Sequence, residues 1–375
     1  MKKLEKSMPV IRFKGFSEAW EQRKLEDILD VRSGRDYKHL DSGDIPVYGT
    51  GGYMLSVGEA LSYEEDAIGI GRKGTIDKPY ILKAPFWTVD TLFYTVPKRD
   101  SDLNFIHSIF QKINWKSKDE STGVPSLSKT TINAVSVFTP SCSEQKEIGT
   151  FFNKLDDTIA LHQRKLDALK LMKKGFLQQM FPKRGENIPK IRLDDFDDIW
   201  EQRILGEFLK ESKIKGSNGS LAKKLTVKLW RKGVVPKEEI YTGSSATQYY
   251  IRKTGQFIYG KLDFLNQAFG IIPLELDGYE STLDSPAFDI EESINETFLL
   301  EYVSLVRFYK YQGNIANGSR RAKRIHTDTF FEMPIPLPNS NEQQKIGTFS
   351  QQIDDLIALQ QNKLEKISSL KRFYL

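Results

Sequence analysis

The chain has 375 residues, with 55 lysines and arginines against 50 acidic residues, a net charge of +5, 39% hydrophobic and 11% aromatic content. That length predicts two or three domains, and the composition excludes a disordered chain. The single cysteine, Cys142, excludes a disulfide framework, and no apolar run reaches the roughly eighteen residues of a membrane helix, so a soluble cytoplasmic protein is expected.

Residues Pro9 to Leu25 (PVIRFKGFSEAWEQRKL) form a leader that recurs as Pro189 to Leu205 (PKIRLDDFDDIWEQRIL), with 9 of 17 positions identical. The first globular region, 24–140, shows short apolar runs at Ile45–Tyr48, Ala67–Ile70, Tyr80–Leu82 and Thr91–Val96, separated by Gly, Pro and Asp. These predict strands. Leu103–Trp115 reads as a helix. GVPSLSKTTINAVSVFTP then reads as a loop followed by a strand into Pro140.

Glu144 to Phe181 predicts one long helix. Apolar residues at Ile148, Phe152, Leu155, Ile159, Leu166, Leu169, Met172, Phe176 and Met180 fall in steps of mostly three and four. Ser141 and Glu144 have the spacing of a capping box. A helix of this size is about 55 Å long. It recurs as Glu342 to Leu375, with 16 of 34 positions identical. Asp156-Asp157 and Asp354-Asp355 recur within it. Adjacent helical residues diverge, so these pairs read as helix surface and a docking contact.

The second globular region, 204–338, predicts strands at Leu225–Leu229, Gln256–Tyr259, Phe269–Pro273 and Ala287–Ile290, and a helix at Ile294–Tyr311. It closes with GSRRAKRIHTDTFFEMPIPLP, again a loop then a strand. The chain is thus a tandem duplication with a repeated frame and divergent inserts. Aligning the two repeats makes the termini equivalent to the midpoint. That predicts a pseudo-twofold arrangement with the long helices side by side and antiparallel.

Gly69-Ile-Gly71-Arg-Lys-Gly74 matches GxGxxG, but no helix pattern follows, so a glycine turn presenting Arg72 and Lys73 is the better reading. Ser126-Leu-Ser-Lys129 matches SxxK with no accompanying acylase element; Ser126 and Lys129 suit phosphate oxygens instead. No P-loop, nuclease or amino-methyltransferase motif is present. Basic, aromatic and glycine residues mix at Arg32, Arg35, Tyr37, Lys38, Tyr48 and Tyr53. The second region has weaker counterparts in Arg252, Lys253, Tyr259 and Lys261. Its densest basic stretch is Asn317, Arg320, Arg321, Lys323 and Arg324. Such residues suit base edges and phosphates.

Taken together, the paired FxxxWEQRxL leaders, the paired EQxxIGTF…DDxIAL helices, VPSLSKTTI and GQFIYGKLDFLNQAFGIIP resemble the specificity subunit of type I restriction–modification systems. One departure is that the second helix lacks the LQQMF ending of the first. The resemblance implies an α+β chain with two α/β target-recognition domains (1–140 and 184–338), each followed by a long helix (141–183 and 339–375), the helices forming an antiparallel coiled coil. It implies double-stranded DNA as ligand, each domain binding one half of a bipartite asymmetric site. Two methyltransferase subunits and restriction/translocase subunits are the implied partners. No cofactor is expected on this chain; S-adenosylmethionine, ATP and Mg belong to the partners. The competing readings are a fused enzyme with unrecognised catalytic motifs and a coiled-coil scaffold that binds only proteins.

Overall fold

A computed structural model describes residues 9–194, 196–238, 243–315 and 324–375. The chain divides into two units, Met1–Arg164 with Asn362–Leu375, and Lys165–Gln361. Each unit therefore includes a piece of both long helices, Cys142–Met180 and Ser340–Tyr374. Among the described residues no helix is long and apolar enough to cross a membrane.

The first unit is built on an antiparallel four-stranded sheet, in the order Leu29–Ser33, Leu92–Pro97, Ala67–Gly71, Tyr80–Leu82. Gly52–Val57, Ser42–Gly49 and Trp87–Thr88 form a second sheet, whose last pairing is parallel. The second unit repeats the first sheet's plan with Leu209–Ser212, Ala287–Ile290, Phe257–Tyr259 and Phe269–Ile271. Its core is aromatic: Phe257, Tyr259, Phe269, Phe288 and Phe330 are all buried, and the Phe257 and Phe330 rings stack at 5.7 Å. The predicted helix at Leu103–Trp115 is Leu103–Lys112 followed by a 3-10 turn, Trp115–Lys118. The one predicted at Ile294–Tyr311 is two, Glu296–Val303 and Val306–Ile315.

The repeated motifs have structural causes that recur in both units. The leader strand Glu21–Lys24 pairs antiparallel with Ser136–Thr139, and Glu201–Ile204 pairs with Pro334–Leu337. Each leader arginine forks onto the first glutamate of its helix. Arg12 donates to Glu144 at 2.9 and 2.6 Å, and Arg192 to Glu342 at 2.8 and 2.5 Å. Half of the expected capping box is present, with the Glu144 amide donating to Ser141 Oγ at 3.5 Å and the Glu342 amide to Asn339 Oδ1 at 3.0 Å, while each glutamate carboxylate serves the leader through the bidentate pair. The glutamine that follows bridges two segments. Gln145 accepts from the Asp102 amide at 3.1 Å and donates to the Pro140 carbonyl at 3.0 Å; Gln343 does the same with Asn295 (2.9 Å) and Pro338 (3.0 Å).

Asp102 and Asn295 are themselves N-caps, accepting from Phe105 and Phe298 at 2.9 Å each. Both caps press against the glycine of IGTF. A Cβ on Gly149 would lie 2.3 Å from Asp102 Oδ1, and one on Gly347 would lie 2.6 Å from Asn295 Oδ1. Alanine gains roughly 1 kcal/mol of helix propensity over glycine, but displacing the cap and overpacking cost about 1–3 kcal/mol. Gly149→Ala is therefore expected to lower the melting temperature of the first unit, which calorimetry on the full chain would measure; an unchanged or raised melting temperature would remove this account of the glycine.

The helix pieces pack antiparallel within each unit. In the first, Phe151 meets Tyr374 at 5.6 Å and Lys371 donates to Asp156. In the second, Phe349 meets Phe176 at 5.6 Å and Lys173 donates to Asp354 at 2.6 Å. These are the same repeat positions. Asp156 and Asp354 pair across the two helices yet stay partly exposed, and their neighbours Asp157 and Asp355 are exposed, as expected of helix surface. Met172, expected in the apolar stripe, is 50% exposed, and Leu177 is buried in its place.

Candidate nucleic-acid interface

In the first unit the hairpin of Ser42–Gly49 and Gly52–Val57 turns tightly at Gly52, whose φ of 106° favours glycine. The turn lifts Tyr53 to 63% exposure. Tyr48 stays half-buried, edge-on to Tyr53 at 6.4 Å and beside Tyr80 at 6.1 Å, while Tyr80 donates to the Gly49 carbonyl at 2.6 Å. Tyr37, Lys38, Thr50, Tyr53, Asp90 and Thr91 are among the residues lining a recess of about 620 Å³ here.

The glycine turn lies alongside. Strand Ala67–Gly71 runs into it, with Gly74 at φ 97°, and the chain continues to Tyr80–Leu82 without a helix, which is incompatible with a dinucleotide site. The Arg72 amide donates to the Thr91 carbonyl at 2.8 Å, so Asp90 and Thr91 join the recess to the turn. Lys73 bridges in backbone to Ser126, and the Leu127 amide donates to the Arg72 carbonyl at 2.9 Å. Lys129 starts the helix Lys129–Asn133, capped by Ser128. Arg72, Lys73 and Lys129 are exposed and Ser126 is half-buried. The structure thus gathers Tyr37, Lys38, Tyr53, Arg72, Lys73, Ser126 and Lys129 onto one surface. Of Asp90 and Thr91, which join its parts, the sequence marks only Thr91, as the start of a strand and not as a site residue.

Arg35 is exposed, its backbone amide bonded to the Thr88 carbonyl at 2.9 Å. Arg32 is committed elsewhere, to Asp30 at 2.8 Å and Glu65 at 2.7 Å; those hydrogen bonds hold its guanidinium more firmly protonated than usual.

In the second unit two expected surface residues are interior. Arg252 is fully buried, donating to Ser281 Oγ and the Ser212 carbonyl at 2.8 Å each, with further carbonyls of Ser281, Thr282 and Ser285 at 3.3–3.4 Å. Burial lowers its pKa to about 10. It ties strand ends together and is not available to a ligand. Tyr259 is also fully buried and donates to the Ile325 carbonyl at 3.0 Å; burial raises its phenol pKa.

Lys261 and Arg324 do come together. The Lys261 amide donates to the Asp284 carbonyl at 2.8 Å, Arg324 pairs with Asp284 at 3.2 Å, and the Ile325 amide donates to the Lys261 carbonyl at 3.0 Å. Partial burial lowers the Lys261 pKa. Lys253 is exposed but lies beyond the opposite end of strand Phe257–Tyr259. Asn317, Arg320, Arg321 and Lys323 lie outside the described residues.

The model of the type I restriction modification DNA specificity domain matches the chain twice, at residues 17–171 and 198–369. The chain is 24% identical over 291 residues to the type I restriction enzyme MjaVIII specificity subunit of Methanocaldococcus jannaschii, spanning 72% of this chain and 68% of that one. Its fold is similar to the crystal structure of a type I restriction–modification system S subunit from M. genitalium, with a TM-score of 0.65, 12% identity, and coverage of 95% and 94%. It is also similar to a chain from work on complex assembly and conformational transition of the type I R-M system, with a TM-score of 0.53, 14% identity, and coverage of 95% and 96%.

Proposed function

The chain belongs to the type I restriction modification DNA specificity domain family and is the specificity subunit of a type I restriction–modification system, and from that premise we propose that each unit reads one half of a bipartite, asymmetric DNA site. The observation that carries this is the double match of the family to two units whose frames repeat and whose exposed basic surfaces do not. Like frames suit two copies of one partner; unlike surfaces give the two halves of the site different bases.

In this reading the surface at Tyr53, Arg72, Lys73 and Lys129 meets one half-site, with lysines and arginines on phosphates and short polar or aromatic side chains toward base edges. Lys261 and Arg324 belong to the other. The long helices, of 39 and 35 residues, space the two readers and dock two methyltransferase subunits, to which the restriction/translocase subunits add. Each helix is roughly 50–60 Å long, enough to set half-sites more than one turn of duplex apart. This chain targets; the partners supply the chemistry, with S-adenosylmethionine, ATP and Mg on them. The fitting compartment is the cytoplasm.

Single-molecule sequencing of methylated bases in DNA from cells carrying this chain and its modification partner tests the proposal. A gapped, asymmetric motif that vanishes when the chain is deleted supports it; an unchanged methylome counts against it. Within that motif, Arg72→Ala with Lys73→Ala is expected to weaken binding about tenfold or more. The loss should alter tolerance of substitutions in one half of the motif only, with the salt slope reduced by about 2 if both contact phosphates. Equal effects on both halves would sink the assignment of one unit to one half-site.

A further inference from the structure

We propose that Trp230 makes an apolar contact to the DNA bases in the half-site read by the second unit; this rests on the DNA-specificity reading above. Trp230 is the one tryptophan that the fold leaves out. Trp87, Trp115 and Trp200 are 4%, 1% and 1% exposed and Trp20 is half-buried, whereas Trp230 is 55% exposed. It sits at the tip of the hairpin formed by Leu225–Val227 and Val234–Pro236.

The tip is held in a backbone conformation that bulky side chains avoid. Trp230 and Arg231 have φ of 58° and 55°, and Gln267, which faces them, has φ of 53°. Such a conformation persists only where the surroundings impose it. Here the Trp230 amide donates to the Asn266 carbonyl at 2.7 Å and the Arg231 amide to the Gln267 carbonyl at 3.1 Å. Arg231 reaches back to buried Glu301, donating at 2.5 and 3.1 Å. A flexible surface loop would relax out of this geometry. A rigidly presented aromatic ring loses little entropy when it binds.

The surroundings indicate the ligand. Asn266 and Gln267 belong to the turn Gly260–Ala268, closed by the Gly260 amide on the Ala268 carbonyl at 2.9 Å. Lys261 is in that turn, and Arg324 is beside it through Asp284 and the Ile325–Lys261 bond. Lys228 and Lys232 flank the tryptophan and are exposed. Lysines are depleted from the cores of protein–protein contacts. An exposed aromatic ring flanked by exposed lysines, on a hairpin bonded to the turn that carries Lys261, is a combination that places a ring on bases and cations on phosphates.

The test uses the full chain assembled with its modification subunits and a duplex carrying the motif found by methylome sequencing. Trp230→Ala is expected to weaken binding to that duplex about tenfold or more and to leave the slope of log affinity against log salt unchanged, because the contact is uncharged. Trp230→Phe should recover most of the loss. Lys228→Ala and Lys232→Ala should each lower the slope by about 1. Affinity of Trp230→Ala within twofold of wild type, with motif specificity intact, overturns the inference and leaves the specificity reading standing. Loss of assembly with the modification subunits would overturn it in favour of a protein contact. Absence of any motif preference in the wild-type complex would remove both.

Discussion

Glu301→Gln is expected to destabilise the second unit by about 3 kcal/mol at neutral pH and to flatten its stability against pH in the acid range. Glu301 is 1% exposed and accepts from four side-chain donors: Arg231 twice, Lys173 at 2.9 Å and Ser350 at 2.6 Å. Burial by itself would raise its pKa. Arg231, by charge and hydrogen bond, then Lys173 and Ser350, outweigh that and hold it at about 2, below the usual 4.5. The depressed value fixes the sign. The folded state favours the carboxylate, so the contribution is complete above pH 4.5 and is lost as pH falls from 4.5 toward 2. Glutamine keeps the shape but leaves two cations facing a neutral amide. Urea unfolding at neutral pH gives the stability loss. Hydrogen exchange across Leu225–Pro236, followed from pH 6 to 3, gives the pH arm. Parallel pH profiles for the wild type and the variant would show that Glu301 is not the group responsible.

A second large effect is expected at the leader clamp, and the two units should respond unequally. Glu342 accepts both arms of the Arg192 fork and also the Trp200 indole N–H at 3.1 Å. Glu342→Ala strands a guanidinium that is 10% exposed and an indole that is buried. Breaking a buried pair from one side costs about 3 kcal/mol or more, and the orphaned indole adds to it. In the first unit Trp20 Nε1 is buried and finds no acceptor among the described residues. Glu144→Ala therefore removes only the Arg12 fork, and the smaller loss is expected there. Hydrogen exchange of the leader strands Glu21–Lys24 and Glu201–Ile204 would rank the two variants. An equal or reversed ranking would mean that the indole bond carries no weight.

The frame was legible because its residues recur. Leaders, glutamates, helix glycines and closing strands appear twice, and each recurrence has a local cause now visible. Strands with a strong apolar run, such as Tyr80–Leu82 and Ala287–Ile290, have the bounds that their sequence predicts. Others were not. Leu209–Ser212 (LKES) and Lys215–Asn218 (KGSN) carry too little apolar patterning to register, and are set by pairing with distant strands. The same limit applies to the candidate surface. Arg252 and Tyr259 are basic and aromatic like the residues proposed to contact DNA, and nothing local distinguishes a guanidinium bonded to interior carbonyls from one in solvent. Glu301 gave no signal because its partners lie 49 to 128 residues away. Trp230 gave none because its exposure depends on the Gly260–Ala268 turn.

One consequence concerns the order in which the molecule can be completed during synthesis. The first unit includes Asn362–Leu375, where Lys371 meets Asp156 and Tyr374 meets Phe151. The second unit ends at Gln361. The ribosome therefore delivers every residue of the later unit before the last helix turns of the earlier one. At roughly 5–20 residues per second, the Phe151 and Asp156 side of the nascent helix waits on the order of ten to forty seconds for its partner. Vectorial folding can therefore complete the hydrophobic core of the first unit, which draws on residues 20–148, but not its helix seam, which closes only when the last residues emerge.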